Sequence, residues 1–242
     1  MKRPRVLFIL KINGVKMKKL IHLGLTMILT TQVYALENKD TPLPKGFVYL
    51  EDIDPTIDQR VGFATDNNIL GVPADGYEAG CAICTKETAL VLTKVQKKLK
   101  KKGLCLLVWD AYRPARAVEH IKRWARDLSD QKTKARYYPN ISKEEILGTF
   151  VAANRSSHSR GSTVDVILVD DVTKEPLDFG PDGFGEESFT YCSKLTKEQQ
   201  ANRLMLRKIM LAHGFKPYNK EFWHFTLKNE PFPETYFDFP IR

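Results

Sequence analysis

The stretch Leu104-Cys105-Leu106-Leu107-Val108-Trp109-Asp110-Ala111-Tyr112-Arg113-Pro114 decides how the rest of the chain is read. Its continuous apolar run has strand length and no polar face, so it predicts a strand at the centre of a sheet, covered on both sides. Asp110 to Pro114 break the run. Pro114 then opens a helix through about Asp127, because a proline costs no hydrogen bond in a first turn. Upstream, Thr85 caps a helix with Glu87 in its first turn and Leu92, Val95 and Leu99 at helical spacing. Gly103 ends that helix, and its Lys-rich last turn suits the helix dipole.

Downstream, a second strand runs from Thr163 to Val169, with Asp165 the one charge among Val164, Val166, Ile167 and Leu168. Thr196-Lys197-Glu198-Gln199 matches a capping box and starts a helix carrying Leu204, Met205 and Ile209, stopped by Gly214. The aromatic-rich segment Glu221 to Leu227 reads as a further strand. Helices and strands do not alternate regularly, and turn residues separate neighbouring strands. The expectation is an α+β fold, a mainly antiparallel central sheet with flanking helices, in a single domain over 36–242.

The chain has 242 residues, 43% of them apolar and 28% charged, enough for a buried core and unlike disordered or multi-span membrane sequences. Its net charge of +9 is uneven: seven Lys or Arg and no acid fall in the first 35 residues, leaving 31 basic against 29 acidic afterwards. The body is nearly neutral, which argues against a nucleic-acid partner. Residues 1–35 read as a secretory signal: Met17-Lys18-Lys19, an apolar stretch from Leu20 to about Thr30, and small residues before a cleavage point after Ala35. Residues 1–16 are superfluous to such a signal, so Met17 is a plausible start. An uncleaved amphipathic anchor is the other reading of these flanks. The apolar stretch falls short of the roughly 20 residues that span a bilayer, and no cysteine near Ala35 supports a lipid anchor. The expected location is the periplasm or the exterior.

Two histidines keep suggestive company. Ser156-Ser157-His158-Ser159-Arg160-Gly161-Ser162-Thr163-Val164-Asp165 puts an imidazole on a polar turn and a carboxylate just inside the next strand. Glu221-Phe222-Trp223-His224 adds a second imidazole with an acid three residues before it. A buried carboxylate costs several kcal/mol unless a cation or metal meets it, on the order-of-magnitude scale for such groups. Arg160, a turn, or a shared ion would each serve Asp165. Two imidazoles and one carboxylate are a set that zinc accepts, and three protein ligands leave a position for water. His120 and His213 lie on expected helices and read as structural, and Trp223 and Phe222 read as wall and core.

These residues resemble a family. His158-x6-Asp165 and Glu221-x2-His224, preceded by Trp109 to Pro114, are similar to the zinc D-alanyl-D-alanine dipeptidases of the VanX type, in the larger group of zinc D-Ala-D-Ala peptidases. Asp75-Gly76-Tyr77-Glu78, Tyr138-Pro139-Asn140-Ile141 and Tyr236-Phe237-Asp238-Phe239-Pro240 extend the resemblance over nearly all of 36–242. It implies one Zn2+ held by His158, Asp165 and His224, Glu221 as acid/base, and Arg113 stabilising the oxyanion. Tyr77 and Ser156 match substrate contacts. Asp182 is the candidate for the substrate ammonium, although Phe179 to Phe184 is shorter and richer in glycine than the family pattern, and Asp178 competes for that role.

The implied activity is hydrolysis of D-Ala-D-Ala to two D-alanines, used outside the cytoplasm in salvage or wall turnover rather than resistance. The alternatives are a D,D-carboxypeptidase or endopeptidase on longer peptidoglycan peptides and, since Hedgehog-like domains share the scaffold, a non-catalytic zinc-containing binding module. Cys81, Cys84, Cys105 and Cys192 admit three disulfide connectivities in an exported protein, and spacing does not choose among them.

Overall fold

In the computed structural model, residues 42–150 and 155–242 are described; the leader, its cleavage point and Met17 lie outside them. Among the described residues the strands are β1 (Phe47–Tyr49), β2 (Asp58–Gln59), β3 (Ile83–Thr85), β4 (Leu104–Asp110), β5 (Thr163–Asp170), β6 (Phe215–Tyr218) and β7 (Glu221–Leu227). Five form the main sheet in the order β2-β4-β5-β7-β6, and β1 pairs with β3 in a small ribbon. Every pairing is antiparallel except β2 with β4, so the expected sheet carries one parallel edge. Strands β4 and β5 sit at the centre because both their faces are apolar: Cys105 to Val108 and Thr163 to Val169 are buried without alternation.

Helix α1 (Lys86–Lys100) begins where expected: the Thr85 hydroxyl accepts from the Thr88 amide, and Leu92, Val95 and Leu99 are buried. Helix α2 (Ala115–Arg126) follows Pro114. Helix α3 (Lys143–Thr149) has no counterpart in the sequence reading, although Ser142-Lys143-Glu144-Glu145 forms a full capping box. Helix α4 (Lys197–Ala212) starts at the Thr196–Gln199 capping box, but its buried stripe is Arg203, Leu206 and Met210, while Leu204 is exposed and Met205 and Ile209 are half-buried. The core face is rotated because a guanidinium occupies a core position, where a hydrophobic period gives no sign of it. Among the described residues, no helix is long and apolar enough to cross a membrane.

The carboxy-terminal segment ties together the motif segments. The Phe237 amide donates to Ser159 O, the Ala115 amide to Phe237 O and the Arg116 amide to Asp238 Oδ1, while Ile241 and Gly76 pair across the 75–78 loop. Phe47, Tyr112, Phe237 and Phe239 interlock behind these bonds. No disulfide links the cysteines, which are all thiols. Cys84 is buried in β3, and the Cys105 thiol donates to Thr56 O while accepting from Gln96, so none of the three connectivities left open by the spacing is formed.

Candidate metal centre and active site

Register builds the centre of the site. Val108 pairs with Val166, yet Asp110 pairs with Asp165, so Trp109 is the extra residue of a bulge in β4. In an unbroken register Trp109 would stand opposite Asp165 and Asp110 opposite Val164. Asp165 in turn pairs with His224 of β7. Directly paired residues of antiparallel strands point to one face, so Asp110, Asp165 and His224 form a row across three strands. In β7, Glu221 would alternate away from His224 in a regular pleat, but the register between β6 and β7 also shifts here, and Glu221 Oε2 lies 3.3 Å from His224 Nδ1.

His158 arrives from outside the sheet, on a 3-10 turn over Ser157–Arg160. The Ser156 hydroxyl accepts from the His158 amide at its start, and Gly161 closes it at φ +83°. A side chain on Gly161 would strike the Phe47 ring, so both backbone and space demand glycine. The His158 Nδ1 proton goes to Ala111 O at 2.7 Å. A carbonyl only accepts, so Nδ1 is the donor, and Nε2 is turned to the cluster, 3.2 Å from His224 Nδ1 and 3.4 Å from Asp165 Oδ2.

One ligand atom each from His158, Asp165 and His224 lies within 4.8 Å of the others. Asp165 Oδ1, buried and 3.2 Å from His224 Nδ1, makes no hydrogen bond. Burial opposes its charge, but His158 and His224 outweigh that and hold the Asp165 carboxyl far below the usual range. Burial likewise opposes charge on His224, and Asp165 with Glu221 overrides it, raising the imidazole to about 9. The buried acids Asp110, Asp165 and Glu221 gather beside one guanidinium, Arg113, and the imidazoles of His158 and His224. An orphaned carboxylate oxygen beside two imidazole nitrogens, with a further acid at hand, suits a divalent ion. The Ala111 carbonyl behind His158, and Ser157 Oγ 3.4 Å from His224 Nε2, are the kind of outer partners that fix ligand imidazoles.

The group opens into a cavity of about 440 Å³ lined by Arg113, Ser156, Glu221, Trp223 and the ligand set, with Phe63, Phe150 and Phe184 as apolar walls. Arg113 is clamped from behind. Its Nε and Nη2 donate to Asp110 Oδ2 at 2.9 and 2.8 Å, Nη2 stands 3.6 Å from Asp165, and the guanidinium covers the Phe63 ring. Burial opposes the Arg113 charge, yet Asp110, Tyr77 and Asp165 raise its pKa. Arg160, the other partner considered for Asp165, is engaged by Glu230.

Two expected substrate contacts lie elsewhere. Tyr77 is buried, absent from the cavity wall, and donates to Asp110 Oδ1 at 2.7 Å. It is the third member of the clamp and reaches the site through Asp110, the residue that sequence reasoning missed. Asp182 forms a bidentate pair with Arg136 at the edge of an adjoining cavity of about 330 Å³, which shares Phe63, Asp165, Phe184 and Trp223 with the first. Asp178 accepts from Gln199 and lines neither cavity. His120 meets Asp75 and His213 meets the Ile209 carbonyl, in structural roles as expected.

Comparison with known proteins completes these observations. The family Peptidase_M15, described as D-ala-D-ala dipeptidase, matches residues 44–242. A D-alanyl-D-alanine dipeptidase of Streptomyces coelicolor is 41% identical over 197 residues, 81% of this chain and 98% of that protein. One from Enterococcus faecalis is 39% identical over 82% of this chain and all of its own length. One from Escherichia coli is 29% identical over 74% and 83%. A solved vancomycin-resistance D,D-pentapeptidase in complex with Zn(II) aligns loosely, at 16% identity and a TM-score of 0.38, over 64% of this chain and 78% of that one.

Proposed function

The chain belongs to the D-ala-D-ala dipeptidase family Peptidase_M15, and from that membership and the geometry of the site we propose that it hydrolyses D-Ala-D-Ala to two D-alanines with one zinc ion. The observation that carries the reading is the convergence of His158, Asp165 and His224 within 4.8 Å, with Glu221 beside them on the wall of one cavity. When bound, zinc supplies a Lewis acid that lowers the pKa of water towards about 7.

The chain's own residues do the rest. Glu221 takes a proton from the attacking water as its oxygen bonds to the scissile carbonyl carbon, then gives a proton to the amine nitrogen as the C–N bond breaks. Arg113, clamped by Asp110, presents a fixed positive charge to the oxyanion; losing one such donor commonly costs on the order of 10² to 10³ in turnover. Ser156 accepts from the His158 amide and keeps its hydroxyl proton for the substrate. Both Glu221 and Arg113 are in place, which favours an enzyme over a binding module.

The test is release of D-alanine from D-Ala-D-Ala by zinc-loaded protein, with Glu221→Ala retaining zinc and losing turnover. A fully active variant would reject the role of Glu221. The adjoining 330 Å³ cavity favours a second reading, a D,D-carboxypeptidase or endopeptidase on longer peptides; faster cleavage of a pentapeptide than of the free dipeptide would select it. We also propose export, with salvage or wall turnover as the role. The family match begins at residue 44, so the basic, apolar leader over 1–35 lies before it. Fractionation that finds the protein in the cytosol with its leader intact would overturn this.

A further inference from the structure

Arg203 is fully buried and has no carboxylate partner among the described residues. Its guanidinium instead gathers the carbonyls of one loop: Nε donates to Phe179 O at 2.7 Å, Nη1 to Glu187 O and Phe189 O at 2.7 Å each, and Nη2 to Pro181 O at 3.3 Å. The plane lies 4.0 Å over Phe222, which stacks on Phe179. Burial pulls its pKa down to about 10 against the opposing pull of Cys192 and Asp178, and the four carbonyls take up its donors directly. Neighbours on α4 hold both ends of the loop, Gln199 and Asn202 at Asp178 and Gln200 at Thr190 O.

That loop touches the catalytic region twice. It supplies Phe184, which walls both cavities and meets Trp223 edge-on. It also grips the turn before β7: the one proton of Ser188 Oγ is shared between Lys220 O at 2.6 Å and Gly185 O at 2.7 Å, and the Thr190 amide donates to Asn219 O at 2.9 Å. Lys220 immediately precedes Glu221. We propose that Arg203 is a positioning residue for the hydrolysis, fixing the loop over 179–190 and, through Ser188 and Lys220, the place of Glu221. This rests on the reading of Glu221 given above.

The planar fork is what the site uses, since it spreads one charge over four carbonyls, whereas a lysine keeps the charge and satisfies fewer. In the zinc-loaded full chain, Arg203→Lys should keep its zinc, speed amide exchange over 179–190 and 219–221, and lower kcat on D-Ala-D-Ala by about 10- to 100-fold with a smaller change in KM. Unchanged kcat in a folded variant overturns the proposal, as does loss of zinc together with kcat. If Arg203→Lys does not fold, Ser188→Ala decides: it cuts one link and should lower kcat by about fivefold with zinc retained, and an unchanged kcat overturns the proposal. If the wild-type chain does not cleave the dipeptide, the proposed function fails, and exchange at 219–221 tests the positioning separately: acceleration in Arg203→Lys upholds it and unchanged exchange overturns it.

Discussion

Replacing Asp110 by Asn perturbs the clamp while keeping its shape. The carboxylate accepts from Tyr77 on one oxygen and twice from Arg113 on the other. An amide offers one acceptor oxygen, so either Arg113 or Tyr77 faces an NH2 group. Hydrogen bonds to charged groups are worth about 1.5–3 kcal/mol each, and breaking a buried pair costs about 3–5 kcal/mol. Arg113 keeps partial access to the cavity and to Asp165 at 3.6 Å, which offsets part of that loss. The expected destabilisation is therefore about 2–3 kcal/mol. The functional loss should be larger, because the freed guanidinium turns towards Asp165, loosening its own aim and competing for a metal ligand. Turnover should fall about 10²-fold, and zinc affinity about 10-fold or more. Urea unfolding, metal titration and steady-state kinetics on D-Ala-D-Ala measure the three effects. A folded Asp110→Asn enzyme with kcat and zinc affinity within twofold of wild type would refute the clamp.

Tyr77→Phe discriminates a buried clamp from a substrate contact: stability should fall by about 1 kcal/mol with KM for the dipeptide unchanged, and a large rise in KM with unaltered melting would restore the direct contact. Gly161→Ala forces a side chain into φ +83° against Phe47, and should cost at least about 1–3 kcal/mol by chemical denaturation, with weakened zinc binding; a neutral variant would show that the His158 turn relaxes freely. Chelating the metal removes ligand stabilisation of about 4 kcal/mol at a thousandfold excess over Kd, so Tm should drop by about 10 °C. Equal melting temperatures with and without zinc would argue against His158, Asp165 and His224 as its ligands.

What the sequence disclosed was local. A capping threonine, a stopping glycine and an apolar run act through neighbouring residues, which is why α1, β4, β5 and β7 lie where the pattern places them. His158, Asp165 and His224 stood out because a charge inside an apolar strand requires a partner. Register, by contrast, is a relation between distant segments, and the bulge at Trp109 that brings Asp110 beside Asp165 leaves no periodic mark. The role of Tyr77 followed from its family position as a substrate contact and changed once its hydroxyl was seen to end on Asp110. Arg203 broke the apolar stripe of α4 and so hid the face that is buried. Helix α3 had a readable capping box, but its seven residues give too short a hydrophobic period to separate from a loop.

The bulge also settles how one guanidinium and one cation are shared between two adjacent carboxylates. Asp110 and Asp165 are cross-strand neighbours, and like charges in such a pair repel unless something stands between them. Arg113 meets Asp110 at 2.8 Å and Asp165 only at 3.6 Å, so its charge is spent mainly on the acid farther from the imidazoles. Asp165 Oδ1 is thereby left without a hydrogen bond beside two imidazole nitrogens. In an unbroken register Trp109 would stand opposite Asp165, and Asp110 would leave this row. The division between a metal ligand and an arginine holder thus depends on the bulged register of β4 as much as on the identities of the two acids.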